Sequence, residues 1–139
     1  TDNDLLPDSW EQRWFANLTT ANSETDTDGD GLSDRAEYVA GTDPTHPTSN
    51  LSLAVRWQQG QVEISFSARA VDAPGYQNAV RHYRLETTAL PGPGAAWSPV
   101  PGFADRTVAS GTETLNCAVT PEAEAVRFYR LRVWLQQKP

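Results

Sequence analysis

Residues 26–37 place five carboxylates within twelve positions, and this is the most constraining feature of the chain. The segment reads Asp-Thr-Asp-Gly-Asp-Gly-Leu-Ser-Asp-Arg-Ala-Glu, which satisfies every specified position of the calcium-loop pattern D-x-[DN]-x-[DN]-G-x5-E. Each close pair of carboxylates repels by roughly 1–4 kcal/mol, so the segment needs a cation to become compact. The pattern predicts a calcium site, and the alternative is an acidic, solvated turn.

Ca²⁺ takes about six to eight oxygen ligands, and every ligand position of this loop holds a residue that can supply oxygen. The predicted ligands are Asp26, Asp28, Asp30, the Leu32 carbonyl, Asp34 acting through a water, and Glu37 with both oxygens. Gly31 stands at the sixth place, where the sharp turn requires a conformation that side chains disfavour. Asp43 follows closely and is either an outer ligand or a turn former.

A weaker copy of the loop lies upstream. Sliding the sequence by 26 residues places Asp2, Asp4, Leu6, Asp8 and Glu11 over Asp28, Asp30, Leu32, Asp34 and Glu37. The copy predicts a second calcium loop, whose first ligand would precede Thr1 and whose glycine position holds Leu5. An ordinary helix start, with Asp8 as cap and Glu11 three residues later, is a compatible alternative.

Charge divides the chain into two unequal parts. Residues 1–50 carry a net charge of −9 and residues 51–139 a net charge of +2, so the overall −7 is local. An acidic excess confined to periodic loops favours cation binding and argues against nucleic acid as a partner. We predict calcium-binding loop-helix repeats over residues 1–48 and a β-rich domain over residues 49–139.

Two short helices follow the two acidic loops in the predicted order. The first spans residues 8–18, with an apolar stripe of Trp10, Trp14, Phe15 and Leu18 that is typical of a core-facing surface. The second spans residues 33–40 and ends at Gly41, a good stop signal.

Past Asn50 the periodicity changes to a two-residue alternation, which indicates strands. The predicted strands cover residues 51–57, 62–68, 82–88, 97–100, 106–109, 114–119 and 125–135. Seven short strands separated by Pro, Gly and Asp loops predict an antiparallel β-sandwich, so the fold class is mostly β with a small helical part. The lone Cys117 is interpreted as a buried strand residue.

The amino-terminal segment resembles the thrombospondin type 3 repeats of bacterial surface and secreted proteins. The resemblance rests on residues 26–34, on Glu37-Tyr38 and on Gly41-Thr42-Asp43-Pro44, with residues 6–11 similar to a preceding repeat. The remainder is similar to fibronectin type III sandwiches through Tyr83-Arg84-Leu85-Glu86 and residues 127–131. These resemblances imply a calcium-binding accessory module of an extracellular, bacterial protein, secreted or at the cell surface.

Three functions are compatible with these patterns. The first is a calcium-stabilised spacer that contacts neighbouring domains of a larger parent protein. The second is carbohydrate binding to an acidic polysaccharide by Arg84, Arg130, Arg132 and Trp134. The alternation points the three arginines away from the core and places Trp134 on the same face as Arg130 and Arg132. The third is a docking role, because paired calcium loops with helices also resemble dockerins, although the second helix is short for that role.

Catalysis is not expected. His46 and His82 lie in unrelated contexts, and the sequence has no Gly-x-Ser-x-Gly elbow and no phosphate-cradling glycine loop. The sequence also has no run of eighteen apolar residues, so no membrane span is expected.

Overall fold

The first helix is shorter than predicted. The computed structural model describes residues 2–71, 73–121 and 126–139, and its first helix, α1, spans Asp8–Phe15. Asn17 donates from Nδ2 to the Phe15 carbonyl at 2.8 Å, while its Oδ1 accepts from the Thr19 amide at 2.8 Å. These contacts form a local turn in place of a further helical turn, which is why the helix does not reach Leu18.

The second helix, α2, spans Asp34–Ala40 and confirms the predicted segment to within one residue. Ser33 caps it by accepting the Ala36 amide on Oγ at 3.2 Å. Gly41 ends it in the left-handed conformation and donates its amide to the Glu37 carbonyl at 2.7 Å.

Six strands among the described residues form two antiparallel sheets. They are β1 (Ala54–Gln58), β2 (Gln61–Arg69), β3 (Ala79–Thr88), β4 (Ser98–Pro99), β5 (Thr112–Val119) and β6 (Phe128–Gln137). One sheet has the order β1-β2-β5 and the other the order β4-β3-β6. The architecture is mostly β and sandwich-like, in agreement with the predicted fold class.

The core between the sheets comes from alternate residues of the strands, as the two-residue periodicity indicates. Ile64 and Phe66 of β2 pack near Tyr83 and Leu85 of β3, and all four side chains are buried. Cys117 on β5 is also buried and carries a free thiol, as interpreted from the alternation. Burial raises the pKa of this thiol, so Cys117 behaves as a small apolar residue.

One of the predicted strands is wrong. Residues 106–109 form no strand, and Arg106 makes only an isolated bridge to Tyr83. All five residues of β1 are exposed, including Val55 at 60 % and Trp57 at 68 %. An apolar cleft lies beside β1, and Val55, Val100 and Tyr129 are among the residues that line it. The predicted start of the last strand, at residue 125, lies outside the described residues.

The helical part packs directly against one end of the sandwich. Trp10 of α1 is 1 % exposed and lies in one apolar cluster with Leu6, Tyr76 and Ala79. Trp14, Phe15 and Leu135 border the same cluster, so the aromatic stripe of α1 is a core surface, as its spacing predicts. Within the described ranges, no helix has the length and apolar character needed to cross a bilayer.

Candidate metal centre

Three aspartates of the second acidic loop converge on one point. Carboxylate oxygens of Asp26, Asp28 and Asp30 all lie within 4.8 Å of one another. Asp26 also turns the chain, because its two oxygens accept the amides of Gly29 at 2.8 Å and Gly31 at 2.9 Å. Gly31 has a φ of +97°, the conformation predicted for the sixth loop position.

Glu37 lies in the first turn of α2 and is fully buried. Its Oε1 accepts the Thr42 hydroxyl at 3.0 Å, while its Oε2 is buried without a hydrogen-bond partner. The pKa of the Glu37 carboxyl is raised to about 7, chiefly by burial and in smaller part by the negative charges of Asp28, Asp30 and Asp34, against the lowering effect of the Thr42 hydrogen bond. Glu37 is therefore within electrostatic reach of these aspartates, but it is not among the three acids whose oxygens lie within 4.8 Å of one another.

Asp34 has a different environment from the other acids of the loop. Its carboxylate accepts the hydroxyls of Thr25 and Thr27, the latter at 2.8 Å, and the Thr27 amide at 3.1 Å. The Asp34 amide in turn donates to the Thr25 carbonyl at 2.7 Å. Asp34 thus ties the entry of the loop to the start of α2, and the structure does not place it in the aspartate cluster.

The upstream loop brings its own acids together. Oxygens of Asp2, Asp8 and Glu11 lie within 4.8 Å of one another. Glu11 is fully buried, and neither of its carboxylate oxygens has a hydrogen-bond partner. Burial and, in smaller part, the negative charges of Asp4, Asp2 and Asp8 together raise the pKa of Glu11 to about 7. Asp4 accepts the Leu6 amide on Oδ1 at 2.9 Å, and its buried Oδ2 has no partner.

The two loops share backbone conformations at equivalent positions. Asn3 and Gly29 have φ of 62° and 76°, and Leu5 and Gly31 have φ of 78° and 97°. Both helices begin at positions that differ by the same 26 residues. Leu5 adopts the glycine conformation despite its side chain, and its carbonyl accepts Arg35 Nη1 of α2 at 2.7 Å. The side-chain contact across the two loops holds this unfavourable conformation in place.

The remaining predicted ligands have mainly structural positions. Leu6 is buried in the cluster around Trp10, and Leu32 is half-buried with its amide bonded to Asp30 at 2.8 Å. Asp43 accepts the amide and hydroxyl of Thr45 on Oδ1 at 3.0 and 2.6 Å, which are the contacts of a turn former. Neither acidic cluster found among the described residues includes Asp43.

The buried carboxylate oxygens without hydrogen-bond partners test whether a cation fits. They belong to Asp4, Glu11, Asp28 and Glu37, two in the side chain of Glu11 and one in each of the others. An ionised carboxylate buried without a partner is costly, so each must either bind a proton or face a positive charge. The donor set contains oxygen alone, which suits the hard cations Ca²⁺ and Mg²⁺ and not zinc or copper.

A buried arginine fixes the carboxyl end of α2 to the sandwich. Arg81 of β3 is 2 % exposed and donates from Nε to the Val39 carbonyl at 2.6 Å and from Nη1 to the Arg69 carbonyl at 3.1 Å. Arg69 donates to the Gly41 carbonyl at 3.1 Å. Positive charge at the carboxyl end of a helix satisfies its free carbonyls and opposes its dipole, so these contacts position the helix that carries Glu37.

Two tyrosines complete the same junction. The Tyr76 hydroxyl donates to the Tyr38 carbonyl at 2.7 Å, the Tyr38 hydroxyl donates to the Gly75 carbonyl at 3.0 Å, and the two rings stack at 4.7 Å. Burial raises the pKa of Tyr76 to about 12, so its hydroxyl remains a donor at any physiological pH.

Sequence reasoning missed Arg81, Arg35 and Thr42. The alternation that places Tyr83 and Leu85 inward also places Arg81 inward, and an inward arginine is a signal for a buried carbonyl or carboxylate partner. The sequence has no comparable signal for Arg35 or Thr42, whose partners depend on how the two loops pack.

Comparison with known proteins identifies one segment. Residues 26–47 match the family model of the bacterial TSP3 repeat, the thrombospondin type 3 repeat, which confirms the predicted resemblance for the second loop and α2. TSP3 repeats bind calcium and are typically extracellular. No curated protein and no solved structure matches the chain.

Proposed function

We propose that this chain is a calcium-stabilised accessory module that spaces or supports neighbouring domains of a larger secreted or cell-surface bacterial protein. One observation carries the proposal. Glu11 and Glu37, 26 residues apart, are both fully buried, both retain carboxylate oxygens without partners, and both lie beside a cluster of aspartates. Such an arrangement is stable at neutral pH when a cation neutralises it.

Two calcium sites follow from the two clusters. Asp26, Asp28, Asp30 and Glu37 would hold one ion, and Asp2, Asp4, Asp8 and Glu11 would hold the other. Calcium supplies the positive charge that the buried carboxylates lack. The TSP3 match over residues 26–47 supports the first of these sites directly.

Calcium binding is coupled to the fold through the helices. Each buried glutamate sits on a helix, and both helices contact the sandwich, α1 through Trp10 and α2 through Arg81. Calcium that binds the folded loops but not the unfolded chain adds its binding free energy to folding. Extracellular calcium modules bind with a Kd of about 10⁻⁴ to 10⁻³ M, so the module would be saturated outside cells and not in a cytosol.

Thermal unfolding in calcium and in excess EGTA tests the proposal. At a calcium concentration about 100-fold above the Kd, each site should add about 2.7 kcal/mol to the free energy of unfolding. Isothermal titration should show two bound ions, and Glu37→Gln and Glu11→Gln should each remove one. Glu24→Gln is the matched control, because Glu24 is an exposed acid of the same segment outside both clusters. A melting temperature that is equal in calcium and in EGTA would contradict the proposal.

A further inference from the structure

The outer face of the β4-β3-β6 sheet carries an ordered group of arginines and indoles. On β3, His82, Arg84 and Glu86 alternate with the buried Tyr83 and Leu85 and therefore face away from the core. Their cross-strand partners on β6 are Trp134, Arg132 and Arg130, in that order. We call Arg84, Arg130, Arg132, Trp97 and Trp134 the arginine face.

One carboxylate, that of Glu86, lies within ion-pair distance of three guanidinium groups on this face. Glu86 is 4 % exposed and accepts Arg130 Nε at 2.6 Å, and its other oxygen lies 3.9 Å from Arg84 and 3.8 Å from Arg132. A single negative charge cannot compensate three positive charges, and Arg84 lies directly opposite Arg132 in the strand register. Like charges in that position destabilise a sheet, so the face has an excess of positive charge available to a ligand.

Aromatic rings hold the arginines in a fixed arrangement. The guanidinium carbon of Arg130 lies 4.3 Å from the centre of the Trp97 ring, and that of Arg84 lies 5.4 Å from the centre of the Trp134 ring. Trp134 also stacks on His82 at 5.3 Å, and the His82 ring is hydrogen-bonded to Asp105 at 2.6 Å. Binding to preorganised side chains loses less conformational entropy than binding to free ones.

From charge complementarity we propose that the arginine face binds an anionic polysaccharide. Guanidinium groups bind carboxylate and sulfate groups through paired hydrogen bonds, and the half-buried indoles beside them offer apolar surface to sugar rings. Nucleic acid has the complementary charge too, but its high charge density is repelled by the net −9 of residues 1–50. The inference does not depend on whether the acidic loops bind calcium.

Affinity electrophoresis in native gels is the test, with chondroitin sulfate or hyaluronan as the probe and neutral dextran as the reference. The full chain in saturating calcium should be retarded by either anionic polymer and not by dextran, and salt should abolish the retardation. Arg132→Gln removes the most exposed of the three arginines, whose side chain is 57 % exposed, and should weaken binding about two- to fivefold. Arg132→Lys should recover part of that loss, because it keeps the charge but not the paired donors.

Arg56→Gln is the matched control, because Arg56 is an exposed arginine on β1 of the other sheet. It changes the net charge by the same amount and should leave binding unchanged. Equal melting temperatures of the three variants would show that the fold is intact, and Arg132→Gln should weaken binding whether or not calcium alters the melting temperature.

Four outcomes would overturn the inference. Two concern the polymers: neither anionic polymer retards the wild-type chain at low salt, or single-stranded DNA retards it equally or more strongly. The third is an equal loss of polysaccharide binding for Arg56→Gln and Arg132→Gln. The fourth is self-association in sedimentation that Arg132→Gln abolishes. The last outcome would assign the arginine face to a second copy of the chain.

Discussion

Arg81 on β3 donates its Nε to the main-chain carbonyl of Val39, 42 residues earlier in the chain, at 2.6 Å. This hydrogen bond joins the sandwich to the helix that carries the buried Glu37. The guanidinium also bonds the carbonyls of Arg69 and Ala70, at 3.1 and 3.3 Å, so it connects three segments at once. The proposed calcium site and the packing of the sandwich therefore share one junction.

Replacing Arg81 by methionine should weaken both folding and calcium binding. The substitution removes the donor that Arg81 supplies to the Val39, Arg69 and Ala70 carbonyls, which costs about 2–4 kcal/mol in the free energy of unfolding. It also frees α2, so the calcium affinity of the second loop should fall. Urea unfolding and calcium titration measure the two effects, with Arg56→Met on the exposed strand β1 as control. Equal stabilities of the two variants would show that the junction contributes little.

The effect of Glu37→Gln on the free energy of unfolding should change sign when calcium is added. Without calcium near pH 8, the neutral amide avoids burying an unpaired charge, so the variant should be more stable than the wild type by on the order of 1–3 kcal/mol. With calcium, it lacks a charged ligand and should be the less stable of the two. Chemical unfolding of both proteins under both conditions measures this crossing. If the variant is less stable than the wild type in EGTA as well, Glu37 does not act as a calcium ligand whose buried charge destabilises the calcium-free protein.

Lowering the pH should stabilise the calcium-free protein. Burial raises the pKa of Glu11 and Glu37 to about 7 from an ordinary value of 4.5. The folded state therefore binds more protons than the unfolded state between these values, and its stability is greatest below the lower value and is lost as the pH rises through the upper one. Unfolding in EGTA from about pH 5 to about pH 8 measures the slope.

The double variant Glu11→Gln and Glu37→Gln is the control for this pH dependence. It should show a flatter slope because neither side chain can titrate. Calcium should oppose the wild-type trend, since the ion competes with protons for the same oxygens. A wild-type stability that rises with pH over this range in EGTA would show that the glutamates do not dominate.

Leu5→Gly should stabilise the first loop. Leu5 holds a φ of 78° with its side chain 66 % exposed, so the substitution relieves strain and removes little packing. We expect a gain of about 0.5–1 kcal/mol after the entropic cost of glycine. Leu90→Gly is the control, because Leu90 is similarly exposed at 79 % and has no positive φ, so it should lose stability. A loss with Leu5→Gly would show that the side chain matters more than the backbone strain.

Gly75→Ala should disrupt packing between α1 and the sandwich. A Cβ at this position would lie 2.7 Å from Cβ of Trp10 and 3.1 Å from its main-chain nitrogen, so something must shift. Gly102→Ala is the matched control, since its φ of +79° imposes similar backbone strain with no atom within 4 Å of the added carbon. Thermal melts should show a larger loss for Gly75→Ala. Equal losses would mean that α1 packs more loosely against residue 75 than the contact implies.

Local patterns in the sequence determined the acidic loop, the helix starts and the inward faces of the strands. The reason is that each of these features depends on residues only a few positions apart in the chain. Asp26, Asp28 and Asp30 converge because their loop turns at Gly31. Tyr83 and Leu85 share a face because successive side chains of a strand point to opposite sides of the sheet.

Only the tertiary structure decided which acids are buried and what holds them. Glu37 owes its environment to Thr42, α2 owes its position to Arg81, and Trp57 is 68 % exposed although it lies on a strand. Burial depends on packing between segments that are distant in the chain. The periodicity of apolar residues predicts which side chains share a face, but not which segment covers that face.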